Sequence, residues 1–168
     1  FRIASHSKLF TSIAILQLRD AGKLRLDDPI TDHLPWFDIQ NPYPEAEPIR
    51  VWNLLTHSAG LPRESDHPSW TEFEFPTGED LRETVSQQQT AYPSATVWKY
   101  SNLGLSLAGA IVETVSGREY EEYVETEIMA PLGMTSSSVG VPSAAHRARL
   151  VTGYGRRWPD KPRDVMPF

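Results

Sequence analysis

The chain has 168 residues, 39% of them hydrophobic, and a net charge of -6, which suffices for one globular domain with its own core. The acidic balance argues against a phosphate-backbone partner, so no nucleic acid is expected, and the absence of cysteine removes disulfides and thiol chemistry. The longest apolar stretches, around Ile13 to Leu16 and Leu107 to Val112, are far too short to span a bilayer, and with no leader visible the compartment stays open.

Helix signals dominate in chain order. Ser5-His6-Ser7-Lys8 opens a run from Leu9 to Leu18 that is apolar on more than one face, which predicts a helix buried in a larger core and ended by Gly22. Asp28-Pro29 reads as cap and first turn of a short helix through His33, stopped by Pro35. Asp38 to Pro48 is acidic and proline-rich, an exposed loop, and Val51 to His57 reads as a short helix. Pro62 to Pro76 reads as a long surface loop anchored by Trp70, Phe73 and Phe75; loops of this length often form substrate walls. Gly78 to Gln88 is amphipathic, and Asn102 to Val115 predicts a second buried helix, with Gly104 and Gly109 permitting close packing and Gly117 ending it. Ser116 and Glu119 have capping-box spacing for a helix through Met129, with Tyr120, Tyr123, Val124 and Ile128 inward and Pro131 closing it. Leu150 to Tyr154 reads as the start of a strand, and Arg156, Arg157, Lys161 and Arg163 as a solvated basic loop.

Two motifs carry chemistry. A serine hydroxyl needs a base held against it to act as a nucleophile, and residues three apart on a helix share a face, so Lys8 is positioned to serve Ser5. Burial of that helix would disfavour the ammonium and lower the lysine toward the range where it accepts a proton. Far downstream, Tyr100-Ser101-Asn102 immediately precedes another helix. Either motif alone is frequent by accident, and the order and setting of the two give them weight.

Four blocks extend the pattern: Phe1 to Lys8, Leu54-Leu55-Thr56-His57-Ser58-Ala59-Gly60-Leu61-Pro62, Tyr100-Ser101-Asn102-Leu103-Gly104 and Ala130-Pro131-Leu132-Gly133-Met134. In this order they resemble the serine β-lactamase and penicillin-binding-protein-like hydrolases, in the branch of class C β-lactamases, D-alanyl-D-alanine peptidases and related esterases. The resemblance implies an α+β fold of the β-lactamase/transpeptidase type, of which residues 1 to 168 form one partial domain, mostly its α-helical part, lacking N-terminal and C-terminal sheet strands. The family's third motif, Lys-Thr-Gly or a His-x-Gly variant, has no match after Asn102. Its strand normally supplies one oxyanion donor beside the N–H of Ser5, and a donor removed costs roughly 3 kcal/mol of transition-state stabilisation. Arg50 stands where relatives carry a capping threonine, a weaker helix start.

The same resemblance implies the roles. Ser5 attacks a carbonyl carbon, Lys8 and Tyr100 share the proton traffic, and Asn102 orients Lys8 and the substrate amide, with Ser101 a further substrate-binding candidate. The expected partner is a small-molecule β-lactam, peptide or ester; no cofactor and no metal are expected, since the histidines lack ligand spacing. Each residue also has a structural reading: Ser5 and Asn102 as helix caps, Lys8 as a solvated lysine, Tyr100 as a core tyrosine. His57 with Asp66 would make a triad, but the resemblance puts Thr56-His57-Ser58 in a structural turn beside the site. The rival function is a non-catalytic binding relative or an incomplete domain that docks onto a second segment, and a helix layer without its sheet predicts self-association.

Overall fold

The computed structural model describes residues 1–66, 75–155, 157 and 159–166. In chain order the helices are α1 (Ser7–Asp20), α2 (Val51–Leu55), α3 (Gly78–Thr84), α4 (Asn102–Ser116), α5 (Tyr120–Val124) and α6 (Ala144–Arg147). A 3-10 turn, Ala4–His6, leads into α1, and a single π-helical turn, Glu125–Met129, continues α5.

Helix α4 is the axis because its sequence leaves almost no polar face. Leu103, Gly104, Leu105, Leu107, Ala108, Ala110, Ile111 and Val112 are all buried, and α1, α2 and α5 pack around them. Helix α1 fully buries Thr11, Ala14, Ile15 and Leu18 and packs Phe10 and Ile13 partly against the same core, while Leu9 stays exposed, so the burial expected of its apolar faces is partial. Each fully buried leucine or isoleucine in this seam, such as Ile15, Leu107 or Ile111, contributes about 1.5–3 kcal/mol through removal from water.

Helix ends follow from particular residues. Gly22 and Gly117 take left-handed φ of 69° and 71° just past α1 and α4, where an L side chain would be strained. Arg50 supplies no cap oxygen, but the Asn53 side chain reaches back to accept the Arg50 N–H at 2.8 Å, so α2 starts with that donor satisfied. The expected cap at Asp28 is not formed: its carboxylate accepts from Arg25 N–H and His33 Nε2 instead, and Ile30–Asp32 is a single 3-10 turn. Nor do Ser116 and Glu119 form a capping box. The Tyr120 N–H at the start of α5 donates to Glu113 Oε1 at 3.2 Å, a carboxylate from the preceding helix.

Among the described residues there is no strand, only three isolated bridges, one of which pairs Tyr154 with Val165 where a strand was expected to begin. The chain is the helical portion expected of the fold. Trp70 and Phe73 lie outside the described residues, whereas Phe75 is exposed. Among the described residues no helix is long and apolar enough to cross a membrane.

Candidate active site

Ser5 sits on the 3-10 turn just before α1, directly after Ala4, whose φ of 45° is a conformation non-glycine residues rarely hold. Its Oγ lies 2.7 Å from the Tyr100 hydroxyl and 3.4 Å from Lys8 Nζ. No side-chain cap bond forms at the start of that turn or of α1, so the hydroxyl is not used as a helix cap. Lys8, one turn on and half-buried, donates to Asn102 Oδ1 at 2.6 Å, and its ammonium stands 4.9 Å from the centroid of the Tyr100 ring. The packing of α1 on α4 thus brings residues 94 positions apart into hydrogen-bond contact.

Tyr100 is held from both sides. Its ring lies 4.5 Å from that of His57, and the Arg63 guanidinium stands 5.1 Å from its centroid. Burial pushes the phenol up, but hydrogen bonds from Lys8 and Ser5 and the charges of Lys8 and Arg63 together outweigh it, so the phenol ionises below the ordinary tyrosine value. A tyrosine moved toward neutrality exchanges a proton with a serine hydroxyl more readily.

His57 closes α2 in the left-handed region, φ 58°, where glycine is the usual occupant. Its Nδ1 accepts the Ser101 N–H at 3.2 Å, which leaves the proton on Nε2, and its ring meets Trp98 edge-on at 6.1 Å. Burial, then the nearby Lys8 charge, hold the imidazole below its ordinary value. The side chain expected in a structural turn therefore buttresses Tyr100 and tethers the backbone of Ser101.

Ser101 is 3% exposed. Its hydroxyl donates to the Pro62 carbonyl at 2.6 Å and accepts the Gly104 N–H at 2.9 Å, the N-cap of α4. Ser101, expected as a substrate-binding candidate, thus has an enclosed hydroxyl that donates one bond and accepts one within the fold. Asn102 follows on the first turn of α4, with its N–H donating to the Arg63 carbonyl at 2.7 Å and its Nδ2 to Glu64 Oε1 at 2.7 Å. Sequence reasoning missed Arg63 and Glu64, which carried no motif or periodic signal and were read only as part of a surface loop.

A cavity of about 500 Å³ opens beside these groups, lined by Ser5, Lys8, Glu64, Asn102, Glu113 and Tyr120 among others. A second, of about 180 Å³, lies between Ile30, Phe37, Ile49, Thr90 and Tyr92 and touches none of the candidate residues. Glu113, which lines the first, has a carboxylate oxygen within 4.8 Å of those of Glu119 and Glu121. Burial first, and then the charges of Glu119 and Glu121, raise the Glu113 carboxyl, although its bond from the Tyr120 N–H opposes this.

The structure thus brings a serine and a lysine at the start of one helix against a tyrosine and an asparagine at the head of a second. Residues 1–167 match the family model Beta-lactamase, and the chain belongs to that family. It is 37% identical over 140 residues to Beta-lactamase-like protein 2 of Dictyostelium discoideum, covering 82% of this chain and 26% of that protein. Against the putative penicillin-binding protein PbpX of Bacillus subtilis it is 33% identical, covering 80% of this chain and 32% of that one. Among solved structures, a beta-lactamase/D-alanine carboxypeptidase of Yersinia pestis superposes with a TM-score of 0.79 at 31% identity, over 89% of this chain and 43% of that one. The chain thus spans less than half the length of each of these relatives.

Proposed function

We propose that this chain carries the nucleophile of a serine hydrolase that works through an acyl-enzyme on Ser5. The observation that supports the reading most is the position of Ser5 Oγ, 2.7 Å from the Tyr100 hydroxyl and 3.4 Å from Lys8 Nζ. In the first step the Oγ–carbon bond forms as the serine proton passes to the Lys8–Tyr100 pair. The carbon–leaving-group bond then breaks as that proton moves to the departing nitrogen or oxygen. Water, giving up a proton by the same route, releases the acid and restores Ser5. Proton transfer of this kind contributes roughly 10²–10⁴-fold. Asn102 orients Lys8 through the 2.6 Å bond and offers its amide to the substrate, whereas Ser101 acts through the cap that seats Asn102.

The relatives are described as β-lactamase, D-alanine carboxypeptidase and penicillin-binding protein, which supports a β-lactam or a D-alanyl-D-alanine peptide as substrate, with an ester as the third candidate from the sequence resemblance. In this reading residues 1–168 are the helical part of a single α+β domain, consistent with the share of each relative that the chain spans. The isolated chain is expected to self-associate through exposed apolar side chains such as Leu9, Trp98 and Leu132, and a strictly monomeric sedimentation profile would contradict this.

The test is turnover by the full natural polypeptide of a chromogenic cephalosporin, a D-alanyl-D-alanine peptide and p-nitrophenyl acetate, each beside Ser5→Ala. Hydrolysis of at least one, lost in Ser5→Ala, supports the reading. Binding without turnover of any would favour a non-catalytic ligand-binding protein.

A further inference from the structure

We infer that Glu64 is a positioning residue of this site: its carboxylate fixes which way the Asn102 amide faces, and so directs Asn102 Oδ1 at Lys8. The inference rests on the acyl-enzyme reading above and extends it to a residue outside the recognised motifs. An asparagine amide is nearly symmetric in shape, and turning it over exchanges an acceptor for a donor. Lys8 Nζ has only donors, so the 2.6 Å contact is a hydrogen bond only when Oδ1 faces it. On the other side of the amide, Nδ2 donates to Glu64 Oε1 at 2.7 Å, a carboxylate oxygen that accepts. The flipped amide would oppose donor to donor at Lys8 and acceptor to acceptor at Glu64. The two neighbours therefore select the same orientation, and charge at both ends strengthens each bond.

The carboxylate is itself anchored. The Arg63 carbonyl accepts the Asn102 and Leu103 N–H groups at 2.7 and 3.3 Å, so the loop docks on the first turn of α4. Gln88 Nε2 donates to the Glu64 carbonyl at 3.2 Å, and Arg63 Nε lies 3.3 Å from the same carboxylate oxygen that receives Asn102. Glu64 thus reaches Asn102 from a backbone held at both faces, and lines the cavity next to Ser5 and Lys8. Its effect on the reaction passes through Asn102 to Lys8.

The donor–acceptor pattern gives a test that simple loss of packing does not mimic. In Glu64→Gln the new amide has the shape of the carboxyl group but offers either face to Asn102, so only Lys8 still selects the orientation. In an Asn102→Asp background the polarity reverses: Glu64 then opposes carboxylate to carboxylate, and Glu64→Gln supplies the missing donor. Four full-length natural polypeptides are compared: unmodified, Glu64→Gln, Asn102→Asp and the double variant. Acylation rate by p-nitrophenyl acetate is followed by intact mass, with KM measured separately.

The expected result is a roughly tenfold fall in the acylation rate for Glu64→Gln with little change in KM, and a rise for the same change in the Asn102→Asp background. The midpoints of denaturation of the four proteins complete the cycle independently of activity and should show the same reversal of sign. Equal effects of Glu64→Gln in both backgrounds, or no effect in either, would overturn the positioning role. If acylation instead persisted in Ser5→Ala, the acyl-enzyme reading itself would fail, while a sign reversal in the midpoints would still report the amide lock.

Discussion

Lys8 Nζ donates to Asn102 Oδ1 at 2.6 Å, and this bond joins the first turns of the two longest helices, α1 and α4. It links the serine-bearing end of one helix to the capped end of the other, where unpaired N–H groups favour developing negative charge. Lys8→Met keeps an unbranched side chain one atom shorter and removes its charge. We expect the acylation rate to fall by about 10²–10⁴-fold. The unfolding free energy from denaturant titration should drop by only about 1 kcal/mol, because the orphaned amide oxygen is half-buried rather than enclosed. A stopped-flow burst that survives Lys8→Met at full rate would remove Lys8 from the proton path.

His57 makes stability depend on pH in a defined direction. Its imidazole is held below the ordinary value of 6.5, so the unfolded chain binds that proton more tightly than the folded one. The stabilisation is complete above pH 6.5 and is lost as pH falls through that value toward the folded one. Protonation would also turn Nδ1 from the acceptor of the Ser101 N–H into a second donor facing it. His57→Gln keeps a neutral acceptor, and melting temperatures measured between about pH 7 and pH 5 should decline less steeply in that variant. Equal slopes in the two proteins would mean that His57 charges without strain.

Gly60 is where the site's framework leaves no room for a side chain. Its φ is 72°, and a Cβ there would overlap the Tyr92 carbonyl oxygen and stand 2.9 Å from the carbonyl carbon. The close approach is needed because the Gly60 carbonyl accepts the Ala91 N–H at 2.7 Å, tying the segment after α2 to the segment before Tyr100. Gly60→Ala combines left-handed strain with overpacking and should destabilise by about 3 kcal/mol or more in denaturant titration. A change under about 0.5 kcal/mol would show that the two segments part without cost.

What could be read from the sequence was local. Ser5 and Lys8 share a face because three residues make most of a helical turn, and Gly22 and Gly117 end helices because only glycine takes the left-handed conformation freely. The buried α4 was visible in its nearly unbroken run of apolar and small residues. Partners set by tertiary approach were not visible. Asp28 caps no helix because Arg25 and His33 claim its carboxylate, and α5 begins on a carboxylate from α4 rather than on its own serine. The Ser101 hydroxyl bonds Pro62 and Gly104, partners that its place in the motif does not announce. Glu64 meets Asn102 from 38 residues away, a separation at which no periodicity survives.

The central claim is that Ser5 carries the acyl group. Intact-mass spectrometry of the full natural polypeptide after brief exposure to a penicillin and to p-nitrophenyl acetate, followed by peptide mapping, tests it directly. The account predicts an added acyl mass for at least one reagent, located on the peptide containing Ser5 and absent in Ser5→Ala. An adduct that maps to another residue, or that persists in Ser5→Ala, would contradict it.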